Sequence, residues 1–141
     1  MSHALNWQRW FEGEWILERT IVDRRQNLLG NVTGRLRIVK KESQLFLNES
    51  GVLHYGAYEG PVSQQMSMTF TMPYYADVFF ANGRYFHNLD LREKEWRIEH
   101  HCGHDLYKGC YQIDPNNFFM ITWQVNGPRK NLSLLSKYNK F

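Results

Sequence analysis

The segment EWILERTIVD, residues 14–23, decides the fold, because its apolar and polar side chains alternate. In an extended chain, Trp15, Leu17, Arg19 and Ile21 fall on one face. The segment NVTGRLRIVKK, residues 31–41, repeats the pattern. Alternation with a period of two predicts half-buried β-strands, and it places Arg19 on the same face as three apolar residues.

Turn signals recur along the rest of the chain at intervals typical of short strands. They are LLGN at 28–31, NESG at 48–51, EGP at 59–61, NG at 82–83, CGHD at 102–105, DPNN at 114–117 and NGP at 126–128. The runs between them predict about nine or ten strands in a plain meander. A closed antiparallel barrel fits this count better than an open sheet, because closure removes exposed edges; a two-sheet sandwich is the alternative.

Ahead of the first strand, HALNWQRWFEG at residues 3–13 predicts one short helix. Leu5, Trp10 and Trp7 are expected on its buried side, and Gly13 is expected to end it. The chain has 141 residues, of which 43% are hydrophobic and 16% aromatic. Aromatic residues suit a pleated, half-buried surface, so we expect a single all-β domain over residues 1–141.

The charge pattern does not indicate binding to nucleic acid. The net charge is +3, from 17 basic and 14 acidic residues, and the basic residues are scattered in pairs. No nucleic-acid partner is therefore expected.

No apolar run is long enough for a signal peptide or a membrane span, so no membrane association is expected. Two cysteines without a secretory signal indicate free thiols in a reducing compartment, and we expect the cytoplasm.

The segment HHCGHDLYKG, residues 100–109, concentrates side chains that can carry chemistry. Gly103 at the first central position predicts a two-residue hairpin with a type II′ turn, and His104 then sits at its tip. The predicted cross-strand pairs are Cys102 with Asp105, His100 with Tyr107 and Ile98 with Gly109. Because opposed residues share a face, an imidazole, a thiol, a carboxylate and a phenol would project from one side of the sheet.

Several interpretations of this hairpin are open. His100, Cys102 and Asp105 could bind a divalent metal, although their spacing matches no standard ligand pattern. A thiol nucleophile activated by His100 is a second option. The two cysteines face opposite sides, which argues against a disulfide. The favoured interpretation is a barrel wall in which a histidine is hydrogen-bonded to Tyr107 or Asp105, and no metal or cofactor is predicted.

Two further segments bear on the interior. Asn82–Gly83 is a strong hairpin signal that predicts pairing of Phe80 with Tyr85 and of Val78 with His87. Arg84 and Phe86 would then share the opposite face, and either face could be internal. Near the C-terminus, Lys130 shares a face with Leu132, Leu134 and Tyr138. An inward lysine either pairs with a carboxylate or meets an anionic ligand, whereas a register shift of one residue would expose it.

Four motifs together resemble the domain-of-unknown-function family 6314. They are FEGEWILERTI at 11–21, NGRYFH at 82–87, EHHCGHDLYKGCYQ at 99–112 and WQVNGPRKNLSLLSKY at 123–138. The family pattern falls on Gly13, Trp15, Arg19, Gly83, Arg84, Phe86, His87, His100, Cys102, Asp105, Tyr107, Trp123, Val125, Gly127, Pro128, Lys130 and Tyr138. The resemblance covers residues 10–140.

The resemblance implies a calycin-like β-barrel, similar to lipocalins and fatty-acid-binding proteins. In lipocalins the tryptophan of the opening Gly-x-Trp is covered by a basic residue of the last strands. Lys137 or Lys140 would fill that role above Trp15. The chain departs from the family's terminal Tyr-x-Arg, because Lys140 stands where arginine is expected, and a lysine stacks less well. The family name carries no activity.

The main functional hypothesis is a barrel that binds a small, partly apolar molecule in its interior. The candidate ligand-binding residues are Arg84, His87, His100, Asp105, Tyr107, Trp123, Lys130 and Tyr138. Arg84 and Lys130 would hold an anionic group on the ligand. Trp123 and the tyrosines would form apolar walls with polar tips, and the histidines would make binding depend on pH.

Three alternatives compete with this hypothesis. In an enzyme, an isomerase or a hydrolase, His100 with Asp105 or Tyr107 would act as acid and base, and Lys130 would stabilise negative charge. Haem or a metal could be bound through one histidine, for which His54, His87 or His100 could serve. In a structural module, the polar cluster would be a satisfied internal network.

Overall fold

The computed structural model describes residues 5–141; of the predicted helix, residues 3 and 4 lie outside this range. One helix and ten strands follow one another along the chain. They are α1 Trp7–Phe11, β1 Gly13–Asp23, β2 Leu28–Lys41, β3 Gln44–Tyr55, β4 Tyr58–Met72, β5 Tyr75–Phe80, β6 Tyr85–Asp90, β7 Glu95–Cys102, β8 Asp105–Asp114, β9 Phe118–Gly127 and β10 Lys130–Lys140.

The strands form one antiparallel sheet in the order β6-β5-β4-β3-β2-β1-β10-β9-β8-β7. Pairing of β1 with β10, from Trp15 opposite Lys140 to Asp23 opposite Leu132, wraps the meander round on itself. Only β6 and β7, at the two ends of this order, are not joined by a backbone ladder. The predicted antiparallel barrel is therefore confirmed in a nearly closed form, and the sandwich alternative is wrong.

Three of the predicted turns are wrong. Residues 28–31, 48–51 and 59–61 lie inside β2, β3 and β4, and the chain instead turns at residues 24–27, 56–57 and 73–74. The turn predicted at residues 48–51 depended on Gly51. In the structure Gly51 lies within β3, opposite Gly34, where β2 and β3 approach closely. A Cβ atom added to Gly34 would lie 2.1 Å from the Ser50 carbonyl oxygen. These glycines serve the close approach of two strands.

The helix is shorter than predicted and buries a different set of residues. Asn6 caps it by accepting a hydrogen bond from the Arg9 amide, at 3.1 Å. Trp10 and Phe11 are buried, whereas Leu5, predicted to be buried, is 40% exposed. The helix ends at Phe11, two residues before Gly13. Among residues 5–141, no helix is long and apolar enough to cross a membrane.

The helix covers one end of the barrel, which we call the closed end. Phe119 lies 4.8 Å from Trp15 and 5.6 Å from Phe11, measured between ring centroids. The indole of Trp15 is fully buried, and its Nε1 donates a 2.9 Å hydrogen bond to the Phe11 carbonyl. Aromatic side chains of the helix, β1 and β9 thus pack together at the closed end.

Lys140 covers Trp15, as the family resemblance implied. Its Nζ lies 4.9 Å from the centroid of the Trp15 ring and donates hydrogen bonds to the carbonyls of Trp10 and Glu12. Lys137, the other candidate, is exposed on the outer face. The lysine thus joins the last strand to the helix through both a cation–π contact and two hydrogen bonds.

The hairpin of β7 and β8 has the predicted register. Cys102 pairs with Asp105, His100 with Tyr107 and Ile98 with Gly109. Gly103 has a φ of +61°, as the first central residue of a type II′ turn requires. Cys102 and Cys110 are both free thiols, which confirms the prediction that they do not form a disulfide.

The hairpin of β5 and β6 is only partly as predicted. Val78 pairs with His87, but Tyr85 pairs with Phe79 and not with Phe80. The one-residue difference leaves Phe86 without an opposite partner, as in a β-bulge. Because of this irregularity, Phe86 and His87 are both buried although they are neighbours in sequence. A strict alternation could not have predicted that both side chains point inward.

Candidate functional site

A cavity of about 280 Å³ lies inside the barrel, between the closed end and the opposite, open end. The residues that line it are Arg19, Glu49, Gln64, Met66, Phe80, Phe86, Tyr107, Tyr111, Ile121, Trp123, Val125, Leu134, Ser136 and Tyr138. Protein interiors are normally close-packed, with few voids larger than a water molecule. A space of this size is larger than the voids that close packing normally leaves.

One wall of the cavity is a stack of three aromatic rings. Phe86 lies between Phe80, with centroids 4.2 Å apart, and Trp123, with centroids 5.1 Å apart, and both pairs are nearly parallel. Gly109 pairs with Trp123 on the neighbouring strand, and a Cβ atom there would come within 2.5 Å of the indole. The glycine provides the space in which the Trp123 ring lies. The β6 bulge supplies the middle ring of the stack.

The opposite side of the cavity carries a polar network centred on Arg19. Its Nη2 donates to both oxygens of Glu49, at 3.0 Å each, and its Nε donates to the Ser136 hydroxyl at 2.6 Å. The Tyr138 hydroxyl accepts a 2.9 Å hydrogen bond from Nη2 and donates its own proton to Glu49. The side chains of Arg19 and Glu49 are only 15% and 14% exposed.

The network fixes the charges of its members. Burial alone would lower the pKa of Arg19, but the interactions with Tyr138 and Glu49 outweigh burial and raise that pKa. Burial, followed by the nearby negative charge of Glu49, raises the pKa of Tyr138 well above its usual value. Arg19 is therefore a permanent cation and Tyr138 a permanent neutral hydroxyl at physiological pH.

A second network lies beside the aromatic stack. The Nδ1 atom of His87 lies 2.8 Å from the Asn88 carbonyl oxygen, so Nδ1 carries the proton and donates it. The unprotonated Nε2 then accepts a hydrogen bond from the Tyr111 hydroxyl at 3.3 Å. Burial, chiefly, lowers the pKa of His87 to about 4. The imidazole is therefore neutral at physiological pH, with both nitrogens in use.

The buried His87 predicts a stability that falls in acid. In the unfolded chain its pKa is near 6.5, whereas in the folded protein it is about 4, so the unfolded state takes up the proton first as pH falls. The free energy of unfolding should therefore decrease between pH 6.5 and 4 by about 3 kcal/mol from this residue. Urea unfolding at several pH values measures the effect. The variant His87→Gln, which cannot titrate, should lose this part of the pH dependence, and an unchanged profile would contradict the assignment.

The open end of the barrel carries an ion pair at the rim of the cavity. Lys130 Nζ lies 3.3 Å from Asp105 Oδ2, with the side chains 46% and 23% exposed. The hydrogen bond to Asp105, followed by the effect of Tyr107, raises the pKa of Lys130. Of the interpretations left open for this lysine, the structure shows pairing with a carboxylate at a solvent-exposed rim.

His100 lies beside the aromatic stack and not in a hydrogen-bonded cluster. Its ring centroid is 5.2 Å from that of Phe86 and 6.2 Å from that of Tyr107, in edge-to-face contacts. Among residues 5–141, no hydrogen bond joins His100 to Tyr107 or Asp105. The expected hydrogen bond is wrong for this histidine, because Asp105 pairs with Lys130; the tyrosine–histidine hydrogen bond forms instead between Tyr111 and His87.

The structure places all but one of the candidate ligand-binding residues in the cavity lining, against its aromatic wall or at its rim. Tyr107, Trp123 and Tyr138 line the cavity itself. His87 and His100 contact its aromatic wall, and Asp105 and Lys130 lie at its rim. Arg84 is exposed in the turn before β6, outside this group. Cys102, at the hairpin tip, is exposed too, so the thiol does not contribute to the cavity.

Sequence reasoning missed the central ion pair. Arg19 carried a visible signal, because it interrupts the apolar face of Trp15, Leu17 and Ile21. Glu49 carried no such signal, because NESG at residues 48–51 predicts a turn, and a turn residue is not assigned to a face by alternation. The structure puts Glu49 in the middle of β3, on the inner side of the barrel.

The histidines offer little for a metal or haem. Within residues 5–141, no three His, Cys, Asp or Glu side chains lie close enough together to hold a metal ion. His54 is 45% exposed beside Glu59, and both ring nitrogens of His87 are hydrogen-bonded. Of the three histidines considered, His100 alone lies near the cavity without a hydrogen-bonded ring nitrogen among the described residues.

A second space of about 290 Å³ lies beside the cavity, towards β2 and β3. Its wall is mainly aliphatic, from Leu17, Ile21, Val32, Leu53 and Val62. It shares Arg19, Glu49, Gln64 and Leu134 with the first cavity. The ion pair thus stands between an aromatic and an aliphatic part of the interior.

Fold and cavity together define a nearly closed, ten-stranded antiparallel β-barrel with an internal space. The chain belongs to the Family of unknown function (DUF6314), which it matches over residues 11–140. This membership agrees with the motifs found in the sequence. No curated protein matches the chain.

Solved structures share the fold at low sequence identity. The S-type phycobiliprotein lyase CPES from Guillardia theta is 8% identical, with a TM-score of 0.64, over 96% of this chain and 90% of the lyase chain. A redesigned β-barrel is 13% identical, with a TM-score of 0.50, over 99% of each chain. At these identities the likeness is one of fold.

Proposed function

We propose that this protein binds a small, partly apolar molecule inside its barrel. The observation that carries the proposal is the cavity of about 280 Å³ inside the barrel, lined by aromatic side chains and one ion pair. Ligand sites are typically concave, mostly apolar and provided with a few polar groups that orient the ligand. The closed end is packed with aromatic side chains, so a ligand would enter from the open end.

The lining supports a flat ligand. Phe80 and Trp123 cover the two faces of Phe86, so Phe86 presents its ring edge to the cavity, and Tyr107 stands at a steep angle to Trp123, with centroids 6.3 Å apart. Aromatic rings pair favourably both in offset stacks and edge to face. A planar ring system in the cavity would therefore meet aromatic rings that it can contact edge to face.

The geometry supports binding better than acid–base catalysis. The catalytic alternative requires His100 to exchange protons with Asp105 or Tyr107, but Asp105 is engaged by Lys130. His87 is buried with both nitrogens in use. A general acid or base needs a free site within hydrogen-bonding distance of the substrate, and the buried His87 has none. His100 has no hydrogen-bonded ring nitrogen among the described residues, but no hydrogen bond joins it to Asp105 or Tyr107, the partners that the catalytic alternative requires. The cytoplasmic location stays a prediction, supported by the two free thiols.

Filling the cavity tests the proposal. Leu134 faces the cavity, whereas Leu135, next to it on β10, lies at the outer surface. We expect Leu134→Trp to remove binding of N-phenyl-1-naphthylamine, a neutral probe whose fluorescence rises in apolar sites, and Leu135→Trp to retain it. Fluorescence titration measures binding, and circular dichroism checks folding.

Native mass spectrometry of the wild-type protein with a lipid and metabolite extract would extend this test to natural compounds. We expect a retained small molecule in the wild type and in Leu135→Trp, but not in Leu134→Trp. If the wild type bound neither the probe nor any extract component, or if both variants bound equally, the proposed function would be wrong.

A further inference from the structure

We infer that the Arg19–Glu49 pair makes the interior select uncharged ligands: planar aromatic molecules with a neutral polar group, in preference to the corresponding acids. The inference rests on the proposed function and specifies the ligand class of the same site. It also replaces the expectation, drawn from Arg84 and Lys130, of an anionic ligand.

The charges inside the cavity compensate each other. Of the described residues that line it, only Arg19 and Glu49 carry a charge at neutral pH. Arg19 Nη2 is shared between the two oxygens of Glu49, and the Tyr138 hydroxyl holds the same carboxylate. The positive charge is thus already compensated within the protein, and the site is electrically neutral before any ligand arrives.

An anionic ligand would meet unfavourable charges in the cavity. A carboxylate in the cavity would approach Glu49 as well as Arg19, and the enclosed group of charges would become net negative. Burial of an uncompensated charge is costly in surroundings of low polarity. The nearest other cation at the rim, Lys130, is paired with Asp105, and Arg84 is exposed outside the group. Neither supplies a free positive charge in the cavity.

A neutral polar group would find an available hydrogen-bond donor on Arg19. The hydrogen bonds of Arg19 use Nε and Nη2, and Nη1 has no partner among residues 5–141. No buried side-chain nitrogen or oxygen of the described residues lacks a partner, so Nη1 is open to the internal space. A carbonyl or hydroxyl oxygen of a ligand could accept from it without adding charge.

An isosteric pair of ligands tests the inference. 2-Naphthamide and 2-naphthoate share ring system and shape but differ by one negative charge at pH 7.5. Each is titrated as a competitor against bound N-phenyl-1-naphthylamine. For the wild type, we expect the amide to compete at a concentration at least about 10-fold lower than the acid, since each tenfold preference reflects a modest energy difference.

The variant Glu49→Gln tests the cause. The substitution keeps the shape and an oxygen acceptor for Arg19 but removes the compensating charge. We expect the preference for the amide to fall at least about 10-fold, or to reverse, because a free guanidinium binds carboxylates well. The control is Glu14→Gln, the same change in an exposed ion pair. The side chain of Glu14 is 45% exposed, and that of its partner Arg35 is 61% exposed. It should leave the preference unchanged.

The outcomes separate this inference from the proposed function. Wild-type preference for the acid would overturn the inference even if Glu49→Gln did not fold. An unchanged ratio in a folded Glu49→Gln would overturn it as well, while the proposed function stood. If neither competitor nor the fluorescent probe bound the wild type, the proposed function itself would fail and the inference with it.

Discussion

Replacing Arg19 by methionine is expected to lower the free energy of unfolding by about 3–5 kcal/mol, the cost of removing one partner of a buried ion pair. Glu49, whose side chain is 14% exposed, would lose the guanidinium that pairs with it. The Tyr138 hydroxyl would lose a donor and the Ser136 hydroxyl another. Urea unfolding followed by far-ultraviolet circular dichroism measures the change.

A surface pair provides the control for this variant. Arg35→Met breaks the pair with Glu14, whose two side chains are both largely in water, and should change the stability by at most about 1 kcal/mol. The double variant Arg19→Met with Glu49→Gln should regain part of the loss, because no buried charge is then left unpaired. A loss below about 1 kcal/mol in Arg19→Met would show that the pair is not effectively buried.

The second large effect is expected for Trp15→Ala, which should cost about 3–5 kcal/mol, as deletion of a buried aromatic side chain does. Trp15 is fully buried, its indole is hydrogen-bonded to Phe11, and Lys140 lies above its ring. Removing the indole would detach the helix and the last strand from the same side chain. Thermal and urea unfolding measure the loss.

The neighbouring residue supplies a matched comparison. Ile16 is on the same strand, points outward and is 42% exposed. Ile16→Ala should therefore cost less than about 1 kcal/mol, because exposed positions away from special features change stability little. Similar losses for both variants would mean that the closed end is not the packed core that the aromatic contacts describe.

The strands with clear alternation could be predicted because one of their faces is buried. Trp15 and Leu17 on β1, and Leu36 and Ile38 on β2, are all buried as the period of two required. The β7–β8 register could be predicted because Gly103 specifies a two-residue turn, and the turn then fixes every pair along the hairpin. Local rules determine these features.

The features that could not be predicted depend on contacts between distant strands. Arg19 on β1 and Glu49 on β3 meet although β2 separates them. Gly34, on the inner face of β2, has no side chain to fill the space between them. The inward position of both Phe86 and His87 follows from a bulge, which alternation does not reveal. The register of the β7–β8 hairpin could be predicted, but the ion pair between Asp105 of this hairpin and Lys130 of β10 could not.

The most direct test of the ligand-binding cavity is a nuclear magnetic resonance titration that observes the tryptophan indole N–H signals. Trp123 lines the cavity, whereas the indoles of Trp10, Trp15 and Trp96 are each hydrogen-bonded to a backbone carbonyl outside it. A Trp123→Phe variant identifies the Trp123 signal. With N-phenyl-1-naphthylamine, we predict that this signal shifts in a saturable way while those of Trp10 and Trp15 stay in place. A stationary Trp123 signal at saturating probe, whatever the probe's fluorescence, would contradict binding inside the barrel.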